Sequence, residues 1–330
     1  MPAVNVHLAL ADRVLEAWRK GVAPAPFDVA DPRTVNAFYN GAFGPDLGYF
    51  PGGERVLSEL SHGVAPGALC RRLLAGARTE AERAFAHGWA THVLGDQLIH
   101  PLVGLGVGEV LTGRRDLFVS GKADQVTHIR VEIGLDAFFA LRNPSFRERR
   151  LTPVFDTSSI GYLRDAYRST YGLSVSRTIL LRCHEGVSDV ARIALPVIAA
   201  IGTGVFHRSL RRRARRVLSG AAEALRRRWG REPLSLATMT PFRPRPWLLR
   251  RVRAIETSFG ARFLELAEGD YAALPDRDME SGAPAYPSPP AELLEGVSGP
   301  RAVVRDPLFP AVVPAAGVWT PGLRPLGVEG

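Results

Sequence analysis

Cysteine and lysine are almost missing from this chain of 330 residues. Cys70 and Cys183 are the only cysteines and form no CxxC pair, which excludes a disulfide framework. Lys20 and Lys122 are the only lysines, so arginine supplies nearly all of the 42 basic residues. Long apolar runs are also absent. The longest, from Ile193 to Phe206, is interrupted by Pro196 and two glycines. It falls short of the roughly 20 residues that a membrane-spanning helix needs, so it reads as a buried or interfacial helix. The opening stretch, MPAVNVHLALADRVLEAW, has no basic region followed by an apolar core. No signal peptide is therefore expected, and the expected location is cytoplasmic, with peripheral membrane contact. Period-2 runs of strand type and internal repeats are missing as well.

The residues that are present describe a globular protein. Apolar residues at 46% and charged residues at 23% exclude a wholly disordered chain. The net charge of +9 would suggest nucleic acid or an anionic membrane if it were spread evenly. It is not. Between Arg208 and Arg253 there are 15 arginines against only Glu223 and Glu232, which leaves the rest of the chain mildly acidic.

Helical periodicity predicts helices over 6–20, 54–75, 79–100 (ended by Pro101), 123–141, 159–171, 175–206, 208–229 and 246–269. The stretch from Gly41 to Gly53 holds five glycines and two prolines and reads as turns. Eleven of the 26 prolines lie beyond Tyr271, where Leu308, Phe309 and Trp319 are too apolar for a plain linker. The expected class is all-α. The expected organisation is a core over 1–150, an Arg-rich helical extension over 151–271 that packs on it, and an extended Pro-rich tail over 272–330.

Six of the eight histidines precede residue 129. The segment HVLGDQLIH places His92, Asp96 and His100 at i, i+4 and i+8, and HIRVE places His128 and Glu132 at i, i+4. Residues four apart share a helix face. At about 100° per residue, the first set falls among Phe85, Trp89, Val93 and Ile99, and the second among Val131, Leu135 and Phe139. Ionisable groups inside apolar stripes must be paired or coordinate something, because uncompensated burial of charge is very costly. A metal cluster satisfies several at once. His87 points away from this face and reads as structural, and His184 and His207 lie outside the cluster.

These segments resemble the zinc-dependent phospholipase C family, whose fold is shared with the P1/S1-type nucleases. The resemblance rests on NVHLALADRVLEAW, the loop NGAFGPDLGYFPGG, LSELSHG, and the HVLGDQLIH and HIRVE helices, in the family's order over about residues 5–140. It implies a multi-helix phospholipase C-like core. It also implies that His62, His92 and Asp96 hold one zinc with Asp46 beside it, and that His100, His128 and Glu132 hold a second. His7 with Asp96 would form part of a third site. In secreted members an N-terminal Trp completes that site, so two zinc ions are the central expectation. The nitrogen and oxygen donors, without thiolates, suit a catalytic zinc.

The implied activity is hydrolysis of a phospholipid-type phosphodiester by metal-activated water, with Asp46 as general base and Phe43, Tyr49 and Phe50 lining a substrate pocket. Two alternatives share the same cluster. One is a single-strand nuclease, for which Trp229, Phe242 and Trp247 among arginines would be stacking platforms. The other is a non-catalytic, metal-stabilised protein that binds a membrane or a partner. The apolar run followed by HRSLRRRARR fits an anionic bilayer surface.

Overall fold

The computed structural model describes residues 4–50, 52–206, 241–290, 293 and 312–314. Among them the chain runs through α1 (Val4–Arg19), α2 (Pro32–Gly41), a 3₁₀ turn at Gly44–Asp46, α3 (Arg55–Gly63), α4 (Pro66–Gly76), α5 (Glu80–Thr112) and β1 (Leu117–Val119). It continues through α6 (Gln125–Arg142), α7 (Gly161–Tyr171), α8 (Arg177–Asp189), α9 (Leu195–Phe206), α10 (Pro246–Glu268) and β2 (Val312–Pro314). The architecture is all-α. Its one described strand pair is β1 with β2, antiparallel, with Phe118 opposite Val313. No helix among the described residues is long and apolar enough to cross a membrane. The helix expected at 208–229, His207 and the apolar tail residues Leu308, Phe309 and Trp319 lie outside the described residues.

Helix α5 is the axis of the fold. It begins in a capping box, in which Thr79 Oγ1 accepts from Glu82 N–H at 3.2 Å and Glu82 Oε2 accepts from Thr79 N–H at 3.0 Å. It ends at Gly113, whose φ of 76° suits glycine. The stop expected at Pro101 does not occur. An interior proline costs about 3 kcal/mol, but the residues beyond it include Leu102, Val103, Leu105 and Val107, all buried. Each buried aliphatic side chain returns about 1.5–3 kcal/mol, so burial of this stretch outweighs the lost backbone bond.

There are three further departures, two of them with a local cause. The single helix expected over 54–75 is broken at Ala65, which adopts φ 40° and ψ 49° because the following Pro66 disfavours the right-handed helical region. Over 175–206 a π-helical turn at Val190–Ala194 separates α8 from α9. Helix α2 lies in a region assigned no element, although Asp31 caps it through Arg33 N–H at 2.9 Å and Pro32 opens it. It packs closely on α5, and a Cβ at Gly88 would lie 2.0 Å from Phe38 O.

Residues from both ends of the described chain share one core. Trp18 of α1 meets Phe263 of α10 edge to face at 5.9 Å, Arg13 pairs with Glu256 at 2.8 Å, and Trp247 donates to Glu109 at 2.6 Å. The segment after α10 then lies along α3 and α5. Met279 N–H donates to His62 O at 3.0 Å, and Gln97 Nε2 donates to the carbonyls of Pro275 and Arg277.

Candidate metal centre

Five elements bring eight side chains together. Helix α5 carries His92, Asp96 and His100 on one face, and α6 carries His128 and Glu132. Helix α1 supplies His7, α3 supplies His62, and the 3₁₀ turn supplies Asp46. That turn is pinned from three sides. Ser61 Oγ donates to Pro45 O at 3.0 Å, Gly48 N–H donates to Ser58 Oγ at 2.8 Å, and Gly44 lies so close to Trp89 that a Cβ there would sit 2.1 Å from its ring. Asp46 is thereby held rigidly although it belongs to no α-helix.

The Nε2 atoms of all five histidines converge on the three carboxylates. Asp96 Oδ1 lies 3.2 Å from His7 and 3.6 Å from His100, and its Oδ2 lies 3.1 Å from His92 and 3.5 Å from His62. Glu132 Oε1 lies 3.2 Å from both His100 and His128. Asp46 lies 3.4 Å from His62 and 3.7 Å from His92. The rings of His7 and His92 stack at 3.9 Å. His62 and His92 each direct Nδ1 at a backbone carbonyl, Ser58 O at 2.7 Å and Ala42 O at 2.8 Å, which aims Nε2 into the cluster.

Burial and charge act against each other at these groups. Burial alone would lower His62 and His100, but the nearby negative charges of Asp46 and Asp96 push His62 up to about 10. Asp96 and Glu132 push His100 up to about 9. Burial would raise Asp96 and Glu132, yet His100, His92 and His7 hold Asp96 well below the usual carboxylate range, and His128 and His100 lower Glu132. His7 is the exception: burial and the neighbouring His92 lower it.

Several buried polar atoms here receive no hydrogen bond among the described residues: both oxygens of Asp46, Asp96 Oδ2 and His92 Nε2. Buried polar atoms are ordinarily satisfied. Three sets have ligand atoms within 4.8 Å of one another, namely Asp46–His62–His92, His7–His92–Asp96 and His100–His128–Glu132. Orphaned oxygen and imidazole atoms at this spacing fit a nitrogen- and oxygen-liganded zinc. The family model for zinc dependent phospholipase C matches residues 6–185, more than half of the chain.

The chain belongs to the zinc-dependent phospholipase C family. No curated protein and no solved structure matches it. Membership carries a hydrolase of phospholipase C type and zinc dependence, and the match ends at residue 185, before α9 and α10.

The eight residues singled out as ligands in this phospholipase C-type chain all lie in the cluster, but their grouping differs from the expectation. His92 is shared between two sets, and Asp46 stands within a set rather than beside it. Two of the three pocket residues lie elsewhere than expected. Phe43 and Phe50 are 1% and 2% exposed, with their rings edge to face at 6.4 Å, so they are packing residues. Tyr49 is half-buried, 5.5 Å from the His62 ring. His87 hydrogen-bonds Tyr271 and is lowered to about 4 by burial, while His184 Nε2 accepts from Val154 N–H at 2.7 Å.

Two groups near the centre escaped the sequence reading. Asp136 continues the His128–Glu132 spacing by one more turn, a repeat visible in the sequence. Glu280 accepts from Gly121 N–H beside His128, and no sequence signal pointed to it.

Proposed function

We propose that this protein hydrolyses a phospholipid-type phosphodiester, with the eight-residue cluster holding zinc and Asp46 acting as general base. One observation carries the reading. Asp46 is fully buried beside His62 and His92, neither of its oxygens receives a hydrogen bond, and its turn is fixed from three sides. A carboxylate so placed is available to accept a proton or complete a metal shell. Asp46 and His62 with His92 form one zinc position, and His100, His128 and Glu132 form another. His7 with Asp96, a carboxylate whose two oxygens face different histidines, forms part of a third.

Zinc bound there supplies a water of lowered pKa and offsets charge on the phosphoryl oxygens. The chain's own residues do the rest. Asp46 would take the proton of the water as its oxygen attacks phosphorus; the ester P–O bond opposite breaks, and the leaving oxygen departs with the bonding pair and takes a proton from solvent water. His62, His100 and His128 form the more open side, at 9–12% side-chain exposure, whereas Asp46 and His92 are wholly enclosed. The phosphodiester therefore enters past these three histidines, and Tyr49 borders the entrance.

Asp46→Asn tests the assignment. The variant should lose about 10²- to 10⁴-fold in kcat toward a choline phosphodiester, with the fold and thermal stability kept. Unchanged turnover would remove Asp46 from the reaction. Cleavage of single-stranded DNA in preference to the choline phosphodiester would move the protein to the nuclease branch.

Peripheral contact with an anionic bilayer is part of the same proposal. The first part of the basic segment, residues 207–240, lies outside the described residues. Its later part, with the end of α6, lines an open groove of about 790 Å³ to which Arg142, Arg243, Arg245 and Arg250 contribute together with Phe138, Leu141 and Leu249. Four arginines beside apolar side chains suit phospholipid headgroups, although Arg245 also lies 3.8 Å from Glu109. Arg142→Glu with Arg250→Glu should weaken binding to vesicles containing phosphatidylserine at least tenfold and leave hydrolysis of a soluble substrate intact. Equal vesicle binding by the variant would exclude the groove.

A further inference from the structure

Helix α6 presents a second acid on the face that carries His128 and Glu132. His128, Glu132 and Asp136 follow one another at four-residue intervals, so Asp136 stands one turn beyond the second ligand. It is 1% exposed, yet it belongs to none of the three ligand sets. Its carboxylate is turned to α1 instead. Oδ1 accepts from the backbone N–H groups of Asn5 at 2.6 Å and Val6 at 3.1 Å, and Oδ2 accepts from the Asn5 side chain at 3.1 Å.

The first turn of a helix leaves four N–H groups without internal partners. Acids near the start of a helix normally take them, and α1 has none in its first turn. The acid comes from another helix. The residue after Val6 is His7, whose Nε2 lies 3.2 Å from Asp96 and whose ring stacks on His92. Asp136 therefore grips α1 at the residue before a ligand, and does so from the helix that carries two other ligands.

We propose that Asp136 is a positioning residue for the metal centre: by holding the first turn of α1 against α6 it seats His7, and the zinc position to which His7 and Asp96 contribute depends on it although it touches no metal. The inference rests on the reading of that pair as part of a zinc position. Asparagine is a fitting replacement. Its side-chain oxygen can accept both backbone N–H groups, and its amide can donate to Asn5 Oδ1, a buried atom with no partner among the described residues, after rotation of the Asn5 amide.

The experiment measures zinc per chain and the affinity of the weakest-held ion, by competition with a chromophoric chelator, in wild type, His7→Ala, Asp136→Asn, Asp136→Ser and Asp136→Leu. Asp136→Asn should match wild type. Asp136→Leu should lose one zinc per chain, the same ion lost by His7→Ala, and the double variant should lose no more. Should Asp136→Leu not fold, Asp136→Ser decides, with at least tenfold weaker binding of that ion. Wild-type zinc number and affinity in Asp136→Ser or Asp136→Leu would make the residue a helix cap and nothing more. His7→Ala with undiminished zinc would overturn the proposal at its base. A wild type that binds less than one zinc would instead refute the zinc reading of the cluster.

Discussion

Replacement of Asp96 by alanine is expected to remove at least one zinc per chain and to lower turnover by about three orders of magnitude or more, beyond the 10- to 100-fold typical of losing a supporting group around a metal. Asp96 is the residue on which the centre turns. Four of the five clustered histidines approach it within 3.6 Å, from three different helices, and its side chain is 2% exposed. In the metal-free protein its charge compensates that of protonated His62 and His100. Removing one partner from such a buried group typically destabilises by about 3–5 kcal/mol, because the remaining charge is left uncompensated. Zinc analysis together with urea denaturation of the metal-free form checks both parts. A full complement of zinc in Asp96→Ala would refute the central place given to this residue.

Zinc uptake at neutral pH should expel protons, and apparent zinc affinity should climb steeply with pH. The donors that zinc requires at His62 and His100 carry protons in the metal-free chain, since these residues are raised to about 10 and about 9. With one proton displaced at each of two zinc positions, the apparent affinity of each rises about tenfold per pH unit near neutrality. Titration calorimetry in buffers of different ionisation enthalpy measures the number. A pH-independent affinity would contradict the protonated state of both rings.

The same shifts set the stability of the metal-free form. A histidine raised on folding contributes stability that is complete below its ordinary value of 6.5, so His62 and His100 cost the fold stability as pH rises through 9–10. Asp96 and Glu132 are lowered, so their contribution is present above the usual carboxylate range and is lost as pH falls through it. His7, lowered by burial, adds a penalty below about 6.5. The metal-free protein should therefore be most stable in mildly acidic solution, and the zinc form should extend that range upward.

The centre was legible in the sequence where the information is local. His92, Asp96 and His100 recur at the helical repeat within an apolar stripe, as do His128 and Glu132, and both helices form with those faces buried. Failures came where distant parts of the chain compete with a local preference. Pro101 is a helix breaker by its own chemistry, yet packing of the apolar turns beyond it carries α5 on to Thr112. Phe43 and Phe50 sit in a loop whose composition says nothing of direction, and they turn inward against each other.

The amino-acid sequence by itself determined the all-α class and the two helices that carry His92, Asp96, His100, His128 and Glu132 on buried faces, because helical period and side-chain chemistry are properties of neighbouring residues; His7, Asp46 and His62 were indicated only by the family resemblance. Only the tertiary structure decided which of these side chains come within reach of one another, that Asp96 and His92 each face more than one neighbour, and that Asp136 of α6 holds the start of α1. Those outcomes depend on how helices approach one another when their contacting residues, such as Val6 and Asp136, lie 130 positions apart. That approach is set by the packing of their buried faces, which no single stretch of sequence contains.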